Sequence, residues 1–427
     1  MIKVLWFSNT PALGAEFIDN NSKIKGTGGW MYTLNKLLQD QVRLSVAFHH
    51  PYKLANFKYE NTNFFPIYTG NIVIENLKSR FFNRIYDDDF LESYLRIIDE
   101  VKPDIIHIHG TENSFLCILD KTDIPIVISI QGNLTVYNHK YFSSFYGKYL
   151  NHKEVGLTLN SLIFGRNSFN RGYKKMRLMK KVEQKYLTFS KYIIGRTNWD
   201  KRISRVLAPR SKYFIGNEIL RDGFYVNRWY NPYECGKLIL FSTNGNNYYK
   251  GFETICYTLT LLNRLGMKVE WRVAGVSNRS LIHKITKKHL KNNYPDVGLK
   301  LLGSLTEDEL IKNLNESNIY VMPSHIENSP NNLCEAMIIG VPCVATYAGG
   351  TPSILENNIE GILVQDGDPW AMAGAILELA ESPDIAVQFG NKAREKALKR
   401  HDRGRIINDL INVYNNIINE NSNNNRK

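Results

Sequence analysis

The sequence predicts an α/β protein of two doubly wound, Rossmann-like domains, and three observations carry that expectation. Short runs such as IKVLWFS and NIYVMPS are apolar without alternation, the pattern of strands covered on both faces of a parallel sheet. They alternate with amphipathic helical stretches, which is the rhythm of a βαβ series. The series runs once, stops at the polar, aromatic loop WYNPYECG and starts again, and 427 residues suffice for two domains of about 200 residues each. The expected division is 1–218, 219–404 and a final segment 405–427, a helix crossing back toward the first domain with the polar tail NENSNNNRK disordered.

In the first domain IKVLWFS leads through a long loop, KGTGG, into the helix WMYTLNKLLQD. A glycine pair opening a helix after a first strand is either a tight turn or a place where Gly28 and Gly29 let the backbone approach a phosphate. LSVAFHH, the helix DDDFLESYLRIIDEV, PDIIHIHG, IPIVISIQG and KYIIGRT continue the alternation. His109 and Gln131 each stand just beyond an apolar strand, placed to face a ligand or to cap their own turns. Residues 139–185 read as a basic, aromatic-rich insert of this domain. In its helix, RGYKKMRLMKKVEQKYL, a stripe of Tyr173, Met176, Met179, Val182 and Leu187 suits either a membrane interface or packing on the domain's own sheet.

The second series begins at KLILFST and reaches PSHIENSPNNLCEAMIIGVPCVATYAGG, the most informative stretch of the chain. Ser329-Pro330 has the chemistry of a helix N-cap followed by proline at the first helical position, and Gly340 ends the helix. The unpaired N–H groups of Asn331, Asn332 and Leu333 then point from the carboxyl end of a strand, where anions such as a diphosphate bind. Glu327 and Glu335 flank that helix start, and carboxylates there suit sugar and ribose hydroxyls.

Composition narrows the partners. No apolar run approaches the roughly 18 residues that span a membrane, and MIKVLWFSN turns polar too early for a signal peptide, so a cytoplasmic location is expected. Five scattered cysteines without ligand spacing predict reduced thiols, no disulfide and no metal site. The net charge of +13 is local: residues 139–212 hold 18 Lys and Arg against 3 Asp and Glu. A single basic lobe implies an anionic partner, such as a phosphorylated acceptor or a membrane surface. No nucleic-acid-binding module is recognisable.

At this point the residues resemble a known family, the retaining family-4 glycosyltransferases of GT-B fold, in which two Rossmann-like domains face each other across a cleft. LLGSLTEDEL, NIYVMPSHIENSPNNLCEAMIIGVPCVATYAGGTPSI and EGILVQDGDPWAMAGAI look like the family's donor-site segments in order and spacing. KGTGGWMYTL, KPDIIHIHG, IPIVISIQG and IIGRTNWDKR are similar to first-domain landmarks. The resemblance implies that Glu327 approaches the transferred sugar, Glu335 binds the nucleotide ribose and Lys250 the diphosphate, and that the Asn331 to Leu333 amides hold phosphate or sugar hydroxyls. It places Gly28 and Gly29 on the donor side and His109 on the acceptor side.

Two departures stand out. STNGNNYYKG lacks the family's arginine before the lysine, leaving Asn244 as a donor-side group, and Gln131 replaces a histidine near the reacting sugar, which suits positioning rather than proton transfer. The implied activity is metal-independent retaining transfer of a hexose-type sugar from a nucleotide diphosphate donor, without a cofactor, to a glycan acceptor. The basic lobe suggests a lipid-linked acceptor at the inner face of the cytoplasmic membrane, in surface polysaccharide biosynthesis. A transfer-inactive sugar-nucleotide-binding subunit and a nucleotide-sugar epimerase of the same fold are the alternatives.

Overall fold

A computed structural model describes residues 1–18, 29–70, 90–143, 169–230 and 236–424. The chain forms two compact units, one of Met1–Val136, Lys175–Arg221 and His401–Lys427, the other of Tyr137–Lys174 and Asp222–Arg400.

The first unit is built on strands β1 (Lys3–Ser8), β2 (Arg43–His50), β3 (Phe57–Tyr59), β4 (Thr62–Tyr68), β5 (Ile105–His109), β6 (Ile126–Ser129), β7 (Tyr192–Gly195) and β8 (Lys212–Ile215). Their order is β3-β4-β2-β1-β5-β6-β7-β8, with only β3 antiparallel. The apolar runs are central strands: β1 pairs on both sides, Val4 with Leu44 and with Ile105, and Val4 to Phe7 are fully buried. Alternate residues feed two cores, Val4 and Trp6 on one face, Leu5 and Phe7 on the other.

The final helix, Arg403–Asn424, covers the first of those faces with Ile406, Ile407, Val413, Tyr414 and Ile417. Its Tyr414 hydroxyl accepts from the Trp6 indole at 3.1 Å and lies 2.6 Å from His107 Nδ1. The expected polar tail is shorter than its composition suggests. Helix continues to Asn424; Glu420 pairs with Lys212 at 2.9 Å and the Ser422 hydroxyl donates to the Ile418 carbonyl.

The basic helix, Phe169–Tyr186, resolves the two readings of its apolar stripe in favour of packing at its C-terminal end. Val182, Tyr186 and Leu187 are buried in the second core, while Lys174, Lys175, Arg177, Lys181 and Lys185 are exposed. Tyr137–Lys174 belongs to the second unit rather than to an insert of the first. The physical reason is aromatic packing: Tyr141 lies 6.1 Å from Tyr249 and Phe142 lies 5.6 Å from Tyr248, ring centre to ring centre.

The second unit carries β9 (Leu238–Thr243), β10 (Val269–Ala274), β11 (Leu299–Gly303), β12 (Ile319–Met322), β13 (Cys343–Thr346) and β14 (Ile362–Val364). All are parallel, in the order β11-β10-β9-β12-β13-β14. Strand order reverses between β9 and β12, and in such sheets ligands bind outside the carboxyl ends of the strands at that reversal. Local chemistry starts the helices: Thr306 and Glu309 form a capping box for Glu307–Glu316, and Asp368 caps Pro369–Glu381. Cys117, Cys256, Cys334 and Cys343 are buried and in no disulfide, and Cys235 lies outside the described residues.

Candidate functional site

The loops after β9 and β12 meet at the point of strand reversal in the second unit. Asn332, at the start of the helix Asn331–Ile339, donates its side-chain amide to the Thr243 carbonyl at 3.0 Å, tying the helix start to the end of β9. The helix begins one residue later than its sequence suggests. Pro330 is the N-cap, with an extended ψ of 106°, so Ser329 precedes the cap. The Leu333 N–H is already taken, by the Pro330 carbonyl and by Asn332 Oδ1, each at 3.0 Å. The anion-facing donors of this turn are therefore the Asn331 and Asn332 amides, which have no protein partner among the described residues.

Glu327 and Lys250, 77 residues apart, form a direct ion pair. Lys250 Nζ stands 2.6 Å from Glu327 Oε1, which also accepts from the Ser324 hydroxyl at 2.7 Å. Glu327 is only 5% exposed, so these two donors take the place of the water its carboxylate gives up. Its backbone is gripped from the far side: Gly350 N–H donates to the Glu327 carbonyl at 2.8 Å, and Gly349 sits so close, at φ +54°, that a Cβ there would fall 2.1 Å from the same oxygen. Glu335 lies half-buried in the second turn of the helix.

Asn244 is placed differently from the sequence expectation. Its side-chain N–H donates to the Lys250 carbonyl at 2.8 Å and its oxygen accepts from the Gly245 N–H at 2.8 Å. A buried amide spent on closing its own loop presents Lys250; it is not an open donor group. Lys250 itself ends a short 3-10 turn, Tyr248–Lys250.

Sequence reasoning missed the side chains behind this loop. His325, 1% exposed, pairs through Nε2 with Glu253 Oε1 at 2.5 Å and through Nδ1 with Asp366 Oδ2 at 3.4 Å. Burial opposes its charge, but Glu253 and Asp366 outweigh burial and push its pKa up to about 9. Its position inside SHIE, two residues before Glu327, was the available signal.

In the first unit the carboxyl ends of β1, β5 and β6 carry a second polar cluster. His109 is the last residue of β5 rather than a residue beyond it, and it is 1% exposed. Its ring stacks on His107 at 3.8 Å and has no hydrogen-bond partner among the described residues, and burial first, then His107 and Arg196, hold its pKa well below the usual value. It is a neutral imidazole. Gln131 is half-buried two residues past β6.

Gly29 opens the helix Gly29–Leu38, and a Cβ there would stand 3.0 Å from the Arg221 side chain; Gly28 lies outside the described residues. Arg196 stacks on Trp30 at 4.8 Å and approaches Glu218 at 3.5 Å. Glu183, the single acid in the basic helix, is fully buried and accepts four hydrogen bonds, from Leu134 N–H, Thr135 N–H, Thr135 Oγ1 and Thr111 Oγ1, at 2.6 to 3.0 Å. It caps the helix Leu134–Lys140 that follows Gln131. Glu112, beside the Asn9 amide at 3.2 Å, is raised to about 7, chiefly by burial.

Two doubly wound sheets with these strand-end clusters define a class of fold, the GT-B fold of glycosyltransferases, and solved structures agree over nearly the whole chain. Sucrose-phosphate synthase from Thermosynechococcus elongatus superposes with a TM-score of 0.73 at 13% identity, covering 98% of this chain and 100% of that one. Anabaena HepE in complex with UDP-glucose superposes with a TM-score of 0.64 at 12% identity, covering 97% and 100%. More particularly, residues 230–396 match the family model of glycosyl transferases group 1. Among curated relatives, an amylovoran biosynthesis glycosyltransferase of Erwinia amylovora is 33% identical over 104 residues, 23% of this chain and 26% of that protein. The chain thus spans about a quarter of that relative's length.

Proposed function

We propose that the protein is a retaining glycosyltransferase that moves a hexose-type sugar from a nucleotide diphosphate donor to a glycan acceptor in polysaccharide biosynthesis. The observation that carries this is the Lys250–Glu327 pair beside the unpaired Asn331 and Asn332 amides at the strand reversal of the second unit. The family match over residues 230–396, the UDP-glucose bound by the Anabaena neighbour and the polysaccharide named in the Erwinia relative support it.

In this reading the Asn331 and Asn332 amides and Lys250 receive the diphosphate, Glu335 holds ribose hydroxyls and Glu327 a hydroxyl of the sugar. The bond from the anomeric carbon to the diphosphate breaks as the acceptor oxygen bonds to the same face, and the acceptor proton passes to the departing phosphate oxygen. Lys250 neutralises the charge that develops there, without a metal or cofactor. Gln131 positions and does not transfer a proton. His109, on the acceptor side, is neutral and supplies hydrogen bonds rather than charge.

The acceptor in this proposal is lipid-linked, with the exposed lysines of Phe169–Tyr186 meeting an anionic membrane surface. Because Val182 and Leu187 are buried, that contact rests on charge, not on insertion of the helix. Among the described residues no helix is long and apolar enough to cross a membrane.

The test is a thermal-shift screen with uridine, guanosine and adenosine diphosphate sugars, followed by donor turnover in Glu327→Ala and Lys250→Ala. One donor is expected to stabilise the protein and both variants to lose turnover; no stabilisation by any of the three removes the reading. Turnover of the donor without an acceptor, to an epimer, would favour the epimerase alternative. Flotation with anionic liposomes is expected at low salt and not at high salt, and absence at low salt removes the membrane part.

A further inference from the structure

Behind the Lys250–Glu327 pair lies a buried charged cluster that this reaction does not use. His325 is held by two hydrogen bonds and by a longer ionic contact at Nδ1, which makes no hydrogen bond among the described residues. Its backbone N–H donates to the Tyr249 carbonyl at 2.8 Å, next to Lys250. Its Nε2 meets Glu253 at 2.5 Å, on the helix Phe252–Arg264 that follows the lysine turn. Its Nδ1 faces Asp366 at 3.4 Å, on the loop after β14.

The surrounding charges are few. Lys140 approaches Asp366 at 3.7 Å; Tyr248, raised chiefly by burial and then by Tyr141 and Glu253, and Cys256, raised by burial and then by Glu253, stay neutral beside that glutamate. Glu253 is 1% exposed, and its only hydrogen bond among the described residues is to His325. One imidazole therefore joins the loops after β9, β12 and β14, and it stands two residues from Glu327.

We propose that His325 is a positioning residue of the donor site: held between Glu253 and Asp366, it keeps the Lys250 turn and the Glu327 loop in register for the nucleotide diphosphate. This rests on the donor-site reading above. A single imidazole can join two carboxylates by charge only while both ring nitrogens carry protons. Its loss of a proton leaves Glu253 and Asp366 facing a neutral ring, which loosens the joint between the three loops. Donor binding should then fall at alkaline pH with the titration of His325, and Asp366, by stabilising the cation, should set where that fall occurs.

The experiment is calorimetric titration of the full chain with uridine, guanosine and adenosine diphosphate from pH 7 to 9.5. Wild type, His325→Gln and Asp366→Asn are compared for whichever nucleotide binds, so that the nucleotide's own ionisation cancels. In Asp366→Asn the alkaline fall in affinity should begin roughly one pH unit lower than in wild type. In His325→Gln binding at pH 7 should be weaker by roughly tenfold, and the difference from wild type should close as pH rises. Should His325→Gln fail to fold, the Asp366→Asn profile decides alone. Wild-type affinity and an unmoved profile in the folded variants overturn this inference while leaving the donor site standing. Failure of wild type to bind any of the three nucleotides overturns the donor site and this inference together.

Discussion

Replacing Lys250 by Met removes the cation from a carboxylate that is almost wholly buried. Glu327 would keep one donor, the Ser324 hydroxyl at 2.7 Å, in a site where its side chain is 6% exposed. Breaking a buried pair costs about 3–5 kcal/mol. The Lys250 side chain is 26% exposed, so some water follows it out, and we expect about 2–3 kcal/mol in this structure. Glu327→Gln should cost less, about 1 kcal/mol, because the amide keeps a group for Ser324 and the freed ammonium can hydrate. The double variant should resemble Glu327→Gln alone, a coupling of about 2–3 kcal/mol. The assay is native-state hydrogen exchange of peptides covering 240–252 and 320–335, where such a loss reads as exchange faster by one to two orders of magnitude. Additive effects of the two substitutions would falsify the pair as an energetic unit, and sugar transfer retained in Lys250→Met would refute its role in the reaction.

Other perturbations follow from the same geometry. Glu335→Ala should weaken nucleotide-sugar binding several-fold in a thermal-shift or calorimetric titration, and an unchanged dissociation constant undoes its ribose role. Gly349→Ala forces a side chain at φ +54° into the Glu327 carbonyl, so transfer should collapse with a stability loss of about 1–3 kcal/mol. Gly266→Ala, at φ +78° with open space around it, should share the strain but keep activity. His325 links stability to pH: its folded pKa of about 9 exceeds the unfolded 6.5, so its contribution, about 3 kcal/mol, is complete below pH 6.5 and lost as pH rises through 9. The gap in stability between wild type and His325→Gln should close across that window, and a constant gap contradicts it. Glu183→Ala strands the Leu134 and Thr135 amides and should speed exchange in 134–140, by about 3 kcal/mol of local stability.

Much of the fold was legible because its signals are local. Unbroken apolar runs mark strands covered on both faces, and a cap chemistry with glycine at the end marks a helix, so Asn331–Ile339 could be read to within a residue at its start. The same locality explains the misses. His109 looked like a residue beyond its strand because a polar side chain interrupts the apolar run, yet the sheet buries it against His107 and Trp6. Asn244 looked available because nothing nearby in sequence consumes an amide; the fold of its own loop does. The basic composition of 169–187 concealed Glu183, whose partners lie 48 to 72 residues away.

Sequence by itself therefore determined the two α/β series, the helix start near Pro330 and the candidacy of Glu327 and Glu335, since each depends on neighbours within a few residues; Lys250 was singled out by the family resemblance. Only the tertiary structure decided that Glu327 and Lys250 are each other's partner, that His325 joins Glu253 to Asp366, and that Tyr414 reaches back 307 residues to His107. These pairings depend on which strands lie side by side. That order is set by burial of whole sheet faces, a property of the folded chain that no local window contains.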